Sequence, residues 1–302
     1  MNKKIAVITP MLNEELPAYT DGAKKHHLPS AQKFNRFVEF ILVIQGSAPP
    51  DETYLNKIRE KLSIRLVYTP IKSTSHARNL GIRILSELEK TPENVIFLDS
   101  DSFITSDSWS EIIHISNQNL DEIHEIEVKW EGQLKPAEFK FINTPPSRRI
   151  KWQNRMFRTY LWTLLIPTHL IIQPAIRFNE KIGPGENTIL KSGEDTIFLL
   201  DLFQRNKIKD LIYHSDLHVQ HPSRPLDNSK RLTYALGQGN LFRVLIANTT
   251  DKTFFVYLLG WLTLFLGNTL FMLITFKPNA LAIAKMRLKG LLFNMQQGKQ
   301  IS

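Results

Sequence analysis

Two aspartates, Asp99 and Asp101, have the residue type and the spacing of a metal site. They follow residues 95–98, an apolar run with β-branched members that is typical of a strand buried on both faces. Because strand side chains alternate sides, both carboxylates can point into one space at the end of the strand. Their oxygens suit Mg²⁺ or Mn²⁺, and such an ion in turn suits a diphosphate. In the alternative interpretation, Asp-Ser-Asp only caps a helix that begins near Thr105.

A second acidic pair, Glu194 and Asp195, leads into a mostly apolar segment, residues 196–203, that predicts a helix. Ser192 or its neighbour would cap this helix and place both acids in its first turn. The helix dipole stabilises anions there and lowers a carboxylate's pKa, so burial would have to offset this effect in a strong base. Acids in a first turn are also common as purely structural groups.

Three histidines, His214, His218 and His221, follow the acidic pair in sequence. A histidine can ligate a metal or titrate near neutral pH, but a single histidine also packs or is solvated without ligating. Upstream, residues 147–158 form a basic segment in which cations are interleaved with Trp152 and Phe157; its cations are Arg148, Arg149, Lys151, Arg155 and Arg158. This basic segment is either solvated surface or a site for a phosphate-bearing acceptor or a lipid headgroup.

The elements that position these residues follow from the hydrophobic pattern. Short apolar runs alternate with helical patterns, which predicts strands over 4–9, 40–44, 64–68 and 95–98 and helices over 30–38, 55–62 and 75–88. Pro10 is expected to end the pairing of the first strand. Such alternation implies a parallel sheet with covered faces, whose ligands bind beyond the carboxyl ends of the strands. Later segments are less regular: 125–130 and 138–142 alternate as a hairpin does, and 160–166 predicts another buried strand.

The composition limits the partners and the chemistry. The chain has 38 Lys and Arg against 29 Asp and Glu, a net charge of +9, which favours anionic partners. No zinc-finger or RNA-binding motif accompanies this charge, and much of it flanks an apolar C-terminal segment, so lipid is favoured over nucleic acid. The absence of cysteine excludes disulfides, thiolate metal sites and a cysteine nucleophile. The amino terminus predicts a strand rather than a signal peptide.

The C-terminal region carries 24 residues without a formal charge, residues 253–276, enough to cross a bilayer. Basic residues flank it on both sides, so the sequence leaves open a single span or a helical hairpin that turns at Gly267-Asn268 and dips into one leaflet. Residues 279–293 then form a basic amphipathic segment at the membrane interface. The catalytic part is expected over 1–240 and the membrane-associated helical part over 241–302.

Five motifs, in this order, resemble those of the family 2 glycosyltransferases of bacterial polysaccharide assembly. They are TPMLNE at 9–14, SHARNLGI at 75–82, FLDSDSFI at 97–104, RFNEKIGPG at 177–185 and GEDTIFLLDL at 193–202. The resemblance covers about the first 240 residues and implies a GT-A-type α/β fold, a central mostly parallel sheet with flanking helices, followed here by membrane-associated helices.

The resemblance also implies roles for individual residues. Thr9, Pro10 and Glu14 would line the nucleoside pocket, Arg78 would approach the diphosphate, and Asn79 would support its loop. Asp99 and Asp101 would be the metal motif, with His221 as a further ligand. Asp195 would be the general base, with Glu194 as the second choice. Gln45 stands where many relatives have an acid that holds the nucleobase, and it and Ser100 are assigned to the donor site.

The function that this resemblance implies is inverting, metal-dependent transfer of a sugar from a nucleotide-sugar donor. The acceptor would be a glycan or a lipid-linked saccharide, met at the cytoplasmic face of the cell membrane. Two other classes remain open from the sequence. One is a nucleotidyltransferase, which needs similar metal carboxylates but has less use for the Gly-Glu-Asp site. The other is a catalytically silent protein of a polysaccharide assembly complex.

Overall fold

A mixed sheet of nine strands forms the centre of the computed structural model, which describes residues 4–20, 33–60, 62, 64–118, 121–131, 146–222, 228–249, 252–277 and 279–293. The strands are β1 (Ile5–Leu12), β2 (Val38–Gln45), β3 (Ile64–Thr69), β4 (Asn94–Phe97), β5 (Phe103–Ile104), β6 (His124–Glu131), β7 (Ser147–Lys151), β8 (Leu164–Pro167) and β9 (Asp210–Pro222). Their order is β3-β2-β1-β4-β8-β6-β9-β5, and β7 pairs with the first half of β9.

The helices cover both faces of this sheet. They are α1 (Leu16–Thr20), α2 (Glu52–Arg59), α3 (Thr74–Ser86), α4 (Ser106–Gln118), α5 (His169–Ile172), α6 (Glu194–Arg205), α7 (Asn228–Asn248), α8 (Lys252–Ile274) and α9 (Ala280–Leu292). Side-chain caps begin two of these helices: the Asp51 carboxylate accepts from the Thr53 amide at the start of α2, and the Ser73 hydroxyl accepts from the His76 amide at the start of α3.

The predicted parallel arrangement is confirmed for the first four strands. β1 pairs in parallel with β2 and β4, and β2 with β3. Beyond β4 the sheet is mixed, because β8 pairs antiparallel with both β4 and β6. Side chains alternate as two-sided burial requires. Ala6 and Ile8 face the core beneath α3 and α6, whereas Ile5 and Val7 face the opposite core with α2 and α4.

The prediction that Pro10 ends pairing is wrong, since β1 continues through Pro10↔Val43 to Leu12↔Gln45. The amide of Leu98 donates to the Ile8 carbonyl at 3.0 Å, so Ile8 directs its backbone groups towards β4, and Pro10, two residues on, does the same. β4 pairs with β1 only as far as Ile8. The missing N–H of proline therefore costs the β1–β2 ladder nothing.

Other predicted boundaries shift. Lys33 to Phe37 form turns rather than a helix, and Ser30 lies outside the described residues. The predicted hairpin partner 138–142 also lies outside them; β6, its first strand, pairs with β8 and β9. Leu161–Thr163 form a 3₁₀ turn, so β8 begins only at Leu164.

The three C-terminal helices pack on the sheet domain. α8 is continuous through Gly267 and Asn268, which excludes a helical hairpin that turns there. Its residues Phe254–Ile274 are the one segment among the described helices that is long and apolar enough to cross a membrane by length and composition. α7 runs through residue 240, where the sequence placed a boundary. α7 and α9 touch backbone to backbone, because a Cβ on Gly239 would lie 2.0 Å from the Arg287 carbonyl oxygen.

Candidate functional site

Arg78 joins the two acidic motifs. Its Nη1 donates to Asp195 Oδ1 at 2.5 Å and its Nη2 donates to Asp99 Oδ1 at 3.0 Å. The guanidinium is 2% exposed and lies over the ring of Phe178, with its carbon 5.3 Å from the ring centroid. The end of β4 and the first turn of α6 therefore face one cleft.

Each partner is placed by its own element. Arg78 lies on the second turn of α3, whose buried face contacts β1, and a Cβ on Gly81 would collide with Ile8 at 2.4 Å. α6 begins without a side-chain cap: Gly193 is its N-cap residue, with φ of 103°, a conformation that favours glycine. Ser192, the predicted cap, instead donates its hydroxyl to the Tyr234 carbonyl.

Asp99, Asp101 and His221 form a cluster that could hold a cation. One ligand atom from each lies within 4.8 Å of the others. His221 Nε2 is 3.4 Å from Asp101 Oδ1, and His221 Nδ1 lies 2.8 Å from the Pro222 carbonyl oxygen. A proton on Nδ1, assigned from that bond, leaves the Nε2 lone pair directed at the aspartates. Two carboxylates and one imidazole fit Mg²⁺ or Mn²⁺.

The alternative that Asp-Ser-Asp caps a helix is wrong. Phe103 and Ile104 form β5, which pairs with β9, before α4 begins at Ser106. The aspartates are thus separated from α4 by a strand. β5 instead holds their loop against the end of β9, the strand that carries His221.

An aromatic wall fixes the ring of His221. Trp162 lies 4.9 Å from it and Trp130 5.1 Å from it, between ring centroids, and Tyr160 stacks on Trp162 at 5.1 Å. His221 and Trp162 are both 4% exposed. No local pattern in the sequence predicts this wall, because Trp130 is on β6, Trp162 is in the 3₁₀ turn before β8 and His221 is on β9, and only the sheet brings these segments together.

The acidic groups perturb one another. Burial and the adjacent Asp195 charge raise the pKa of Glu194 to about 8, although Arg78 opposes this. Burial likewise raises the pKa of Asp99, with Arg78 acting against it and Asp195 and Asp101 adding to it. Burial disfavours the charged form of Arg78, but the surrounding carboxylates outweigh that effect and raise its pKa. The burial that a strong base in the first helical turn requires is therefore present at Glu194.

The cleft around these groups has a volume of about 550 Å³, within the range of small-molecule sites. Of the predicted residues it is lined by Pro10, Glu14, Gln45, Arg78, Asp99, Ser100, Asp101, Glu194 and Asp195. Its far wall is the loop 183–186. The Ser75 hydroxyl donates to the Ile182 carbonyl at 2.6 Å, and the Thr74 amide donates to the Pro184 carbonyl at 3.0 Å, so this loop is tied to the start of α3.

Three predicted residues do not line the cleft: Thr9, Asn79 and His221, which lies behind Asp101. Thr9 is 2% exposed within β1. Asn79 faces away and pairs both amide atoms with the backbone of Phe178, so it supports a neighbouring segment. Gln45 lines the cleft, but its Oε1 accepts from the Ser73 amide at 2.7 Å. Its Nε2 carries the donors that could contact a ligand.

Several lining residues were missed by the sequence analysis. Glu15 accepts from the Ser100 hydroxyl at 3.1 Å. Lys72 pairs with Glu186 across the cleft at 3.1 Å, and the first turns of α7 contribute Lys230 and Tyr234. Glu15 directly follows the motif at 9–14, and this position could have identified it as a lining residue. The others lie in segments whose approach to the site is decided by tertiary packing.

The other predicted clusters lie elsewhere. His214 is 3.0 Å from His124, Nε2 to Nδ1, away from the metal cluster, and the His218 amide donates to the Ser108 hydroxyl. In the basic segment, Arg155 makes two hydrogen bonds to the Glu125 carboxylate, at 2.8 and 3.0 Å. Arg149 pairs with Glu122. Arg148 and Arg158 are exposed but lie over the rings of Tyr213 and Trp261, and Lys151 is exposed.

No protein-family model matches the chain, and no curated protein matches it in sequence. Among solved structures, TarS of S. aureus, residues 1–349 in complex with UDP-GlcNAc, matches with a TM-score of 0.56 and 19% identity over 82% of this chain and 68% of that one. The mannosyltransferase PcManGT from Pyrobaculum calidifontis, in complex with GDP-Man and Mn²⁺, matches with a TM-score of 0.60 and 15% identity over 99% and 78%. The chain spans 40% of a longer TarS chain.

At these identities the likeness concerns the fold. It agrees with the strand order, with the helices on both sheet faces, and with a cleft at the carboxyl ends of β1, β2 and β4. The GT-A-type α/β fold predicted from the sequence is therefore confirmed, and this chain has the fold of these glycosyltransferases.

Proposed function

We propose that this protein is a family 2-type glycosyltransferase that moves a sugar from a nucleotide-sugar donor to a hydroxyl of a glycan or lipid-linked acceptor. The observation that carries the proposal is the pair of hydrogen bonds by which Arg78 holds Asp99 and Asp195 in one cleft. The likeness in fold to proteins solved with UDP-GlcNAc and with GDP-Man and Mn²⁺ supports the same class of donor.

The residues at the end of β4 and β9 would serve the leaving group. Asp101, Asp99 and His221 would hold Mg²⁺ or Mn²⁺, and the bound ion would neutralise charge on the departing diphosphate. The Nδ1 contact of His221 with the Pro222 carbonyl keeps its Nε2 free for this purpose. Pro10, Glu14 and Gln45, at the ends of β1 and β2, would contact the nucleoside.

Asp195 would act as the general base. Its carboxylate takes the proton of the acceptor hydroxyl while that oxygen forms a bond to the anomeric carbon. The bond from that carbon to the diphosphate oxygen breaks, and its electron pair leaves with the diphosphate. A single displacement of this kind inverts the anomeric configuration. Arg78 donates a hydrogen bond to one oxygen of Asp195 and so orients the base. In other enzymes that activate a nucleophile, a third group orients the base in the same way.

Glu194 would have a different task. With a pKa of about 8 it is mostly protonated at neutral pH in the free protein, so its carboxyl group can donate a hydrogen bond to a sugar hydroxyl. It is the alternative base if Asp195 remains paired with Arg78 during the reaction. Substitution by Gln separates these roles, because Gln keeps a donor but cannot take a proton.

The acceptor would be met at the cytoplasmic face of the cell membrane during assembly of a surface polysaccharide. The apolar helix α8 and the basic residues of α9 support contact with lipid. The acceptor's phosphate, where it has one, would find cations at the cleft in Lys72 and Lys230.

The test is turnover of a panel of nucleotide sugars with Mn²⁺, followed as release of nucleoside diphosphate, with hydrolysis to water as the acceptor-free reaction. We expect Asp195→Asn to bind donor normally and to lose at least about 100-fold in turnover. Glu194→Gln should retain most activity at pH 7. The matched control is Asp107→Asn, an exposed aspartate in the first turn of α4, which should behave as wild type.

Two outcomes would contradict the proposal. Release of pyrophosphate from a nucleoside triphosphate and a sugar phosphate would identify a nucleotidyltransferase. Donor binding without any turnover, with every acceptor extract tried, would identify a catalytically silent assembly protein. If Glu194→Gln, and not Asp195→Asn, abolishes turnover, the base is Glu194.

A further inference from the structure

Helix α8 presents two faces of different character. One stripe packs against the protein: Phe254 and Leu258 are fully buried, and Met272, five turns after Phe254, is 6% exposed. Between them Trp261, Leu262 and Phe265 are partly buried. The other side is apolar and open, with exposed fractions of 57–68% at Val256, Leu264, Leu270, Phe271 and Ile274. At 100° per residue these five residues span about 120° of the helix girth, and no formal charge occurs among them. So large an apolar surface marks an interaction site.

The buried stripe is anchored to the sheet domain at every level. Phe254 stacks near Trp152, Trp261 near Phe157 and Phe265 near Phe242, with ring centroids 4.9, 5.1 and 4.8 Å apart. Further on, the Arg287 guanidinium of α9 donates to the Thr269 hydroxyl at 2.7 Å and to the Gln238 side chain of α7 at 3.0 Å. The helix is thus fixed lengthwise on the domain and does not project from it.

Cations lie beside the middle of this helix. The Arg158 guanidinium is exposed and lies 5.7 Å from the Trp261 ring centroid, and that of Arg287 lies 4.6 Å from the Phe265 ring centroid. Both rings belong to the central part of the apolar stretch. If α8 crossed a bilayer with its packing intact, these guanidinium groups would enter the hydrocarbon, at about 2.5–3.5 kcal/mol or more each. A crossing orientation is therefore disfavoured.

We propose that α8 lies in the plane of one membrane leaflet, with its open side embedded and its buried stripe on the catalytic domain. The inference rests on the membrane association proposed above and specifies its geometry. Four cations in α9, at the end of α8 and beside Trp261 are exposed and fit an anionic lipid surface: Arg158, Lys277, Lys285 and Lys289. From residue 241 onward, Asp251 is the sole acid in the sequence, against seven Lys and Arg.

This geometry places the cleft beside the leaflet. Met272, near the end of α8, packs in one cluster with Ala235 and Leu232 of α7. Tyr234 and Lys230, on the same turns of α7, line the cleft. α9 packs against these turns of α7 in close backbone contact at Gly239 and Gly290. A saccharide carried on a lipid in that leaflet would reach the acidic pair without leaving the membrane surface.

The first test measures how deeply three positions of α8 lie in the bilayer. The chain has no cysteine, so single cysteines at Val256, Leu264 and Ile274 can be labelled with an environment-sensitive fluorophore on full-length protein bound to phosphatidylcholine–phosphatidylglycerol vesicles. An in-plane helix places all three labels at similar shallow depth. A spanning helix would place position 264 about 12–15 Å deeper than the other two, which would overturn the inference.

Vesicle flotation of full-length variants provides the second test. The double substitution Leu264→Glu with Leu270→Glu should weaken binding to anionic vesicles at least tenfold, whereas Ser110→Glu, an exposed change on α4, should not. Donor turnover of both variants in detergent should equal that of wild type, which separates failure of this inference from failure of the proposed function.

Equal binding of the wild type to vesicles of phosphatidylcholine alone would contradict the inference that the partner is an anionic lipid surface. Dimerisation without vesicle binding would assign the open side to a second copy. Deleting the helix is unsuitable, since it would uncover Trp152 and Phe203.

Discussion

Asp99 and Asp195, far apart in the chain, each place an Oδ1 on the guanidinium of Arg78, at 3.0 and 2.5 Å. This shared partner fixes the distance between the proposed metal site and the proposed base before any ligand arrives. A buried cation between two carboxylates also makes each group depend on the others for its charge state.

Removing the shared cation should therefore destabilise the protein. Arg78→Ala leaves two facing carboxylates without their partner, and we expect a loss of about 3–5 kcal/mol in the free energy of unfolding, measured by urea denaturation at pH 7. Arg78→Lys keeps the charge but loses the forked geometry, so it should lose less stability and yet most of the turnover. Equal stability of Arg78→Ala and wild type would show that the ion pairs contribute nothing to folding.

The cluster of Asp99, Asp101 and His221 predicts a measurable cation site in the absence of donor. Asp101→Ala should lower the affinity for Mn²⁺, measured by calorimetry, at least about tenfold and should abolish metal-dependent donor binding. The control Asp107→Asn changes an exposed aspartate outside the cluster and should leave the affinity unchanged. Unchanged donor affinity of Asp101→Ala in the presence of Mn²⁺ would remove Asp101 from the site.

The raised pKa of Glu194 predicts a pH-dependent stability. The folded protein holds a proton on this carboxyl group up to about pH 8, whereas the unfolded chain releases it near pH 4.5. Stability is therefore lost as pH rises between these values. Glu194→Gln removes this loss. The difference between the melting temperature of the variant and that of wild type should therefore increase by at least about 2 °C from pH 5 to pH 8.5. The exposed control Glu89→Gln should show no such rise. A constant difference across this range would show that Glu194 is already ionised.

The buried pair His124 and His214 predicts sensitivity to acid. Burial lowers the pKa of His124 to about 4, with the His214 and Arg149 charges acting in the same direction. Burial also lowers the pKa of His214, although Asp216 and Glu111 oppose it. Because unfolded histidines protonate near pH 6.5, stability should fall as pH drops from 6.5 towards 4.

The measurement is the melting temperature of His124→Asn against wild type at pH 7.5 and 5. The variant should start lower, because it loses the ring contact with His214, but it should lose less on acidification. His114→Asn, an exposed histidine on α4, should follow wild type at both pH values. Parallel losses in wild type and His124→Asn would show that the pair does not determine acid stability.

The sequence by itself determined the parallel strands β1 to β4, the helices α2 and α3 between them and the positions of the acidic motifs, because these features depend on local hydrophobic period and capping. It also located Arg78, Asp101 and Asp195 as candidates for one site, through motifs in a recognisable order, and His221 through its position after the acidic pair. It did not determine the mixed second half of the sheet, the aromatic wall around His221, or the continuous packing of α8. Those features arise where distant segments meet, as when β8 inserts between β4 and β6 or Trp152 covers Phe254, and such contacts leave no periodic trace along the chain.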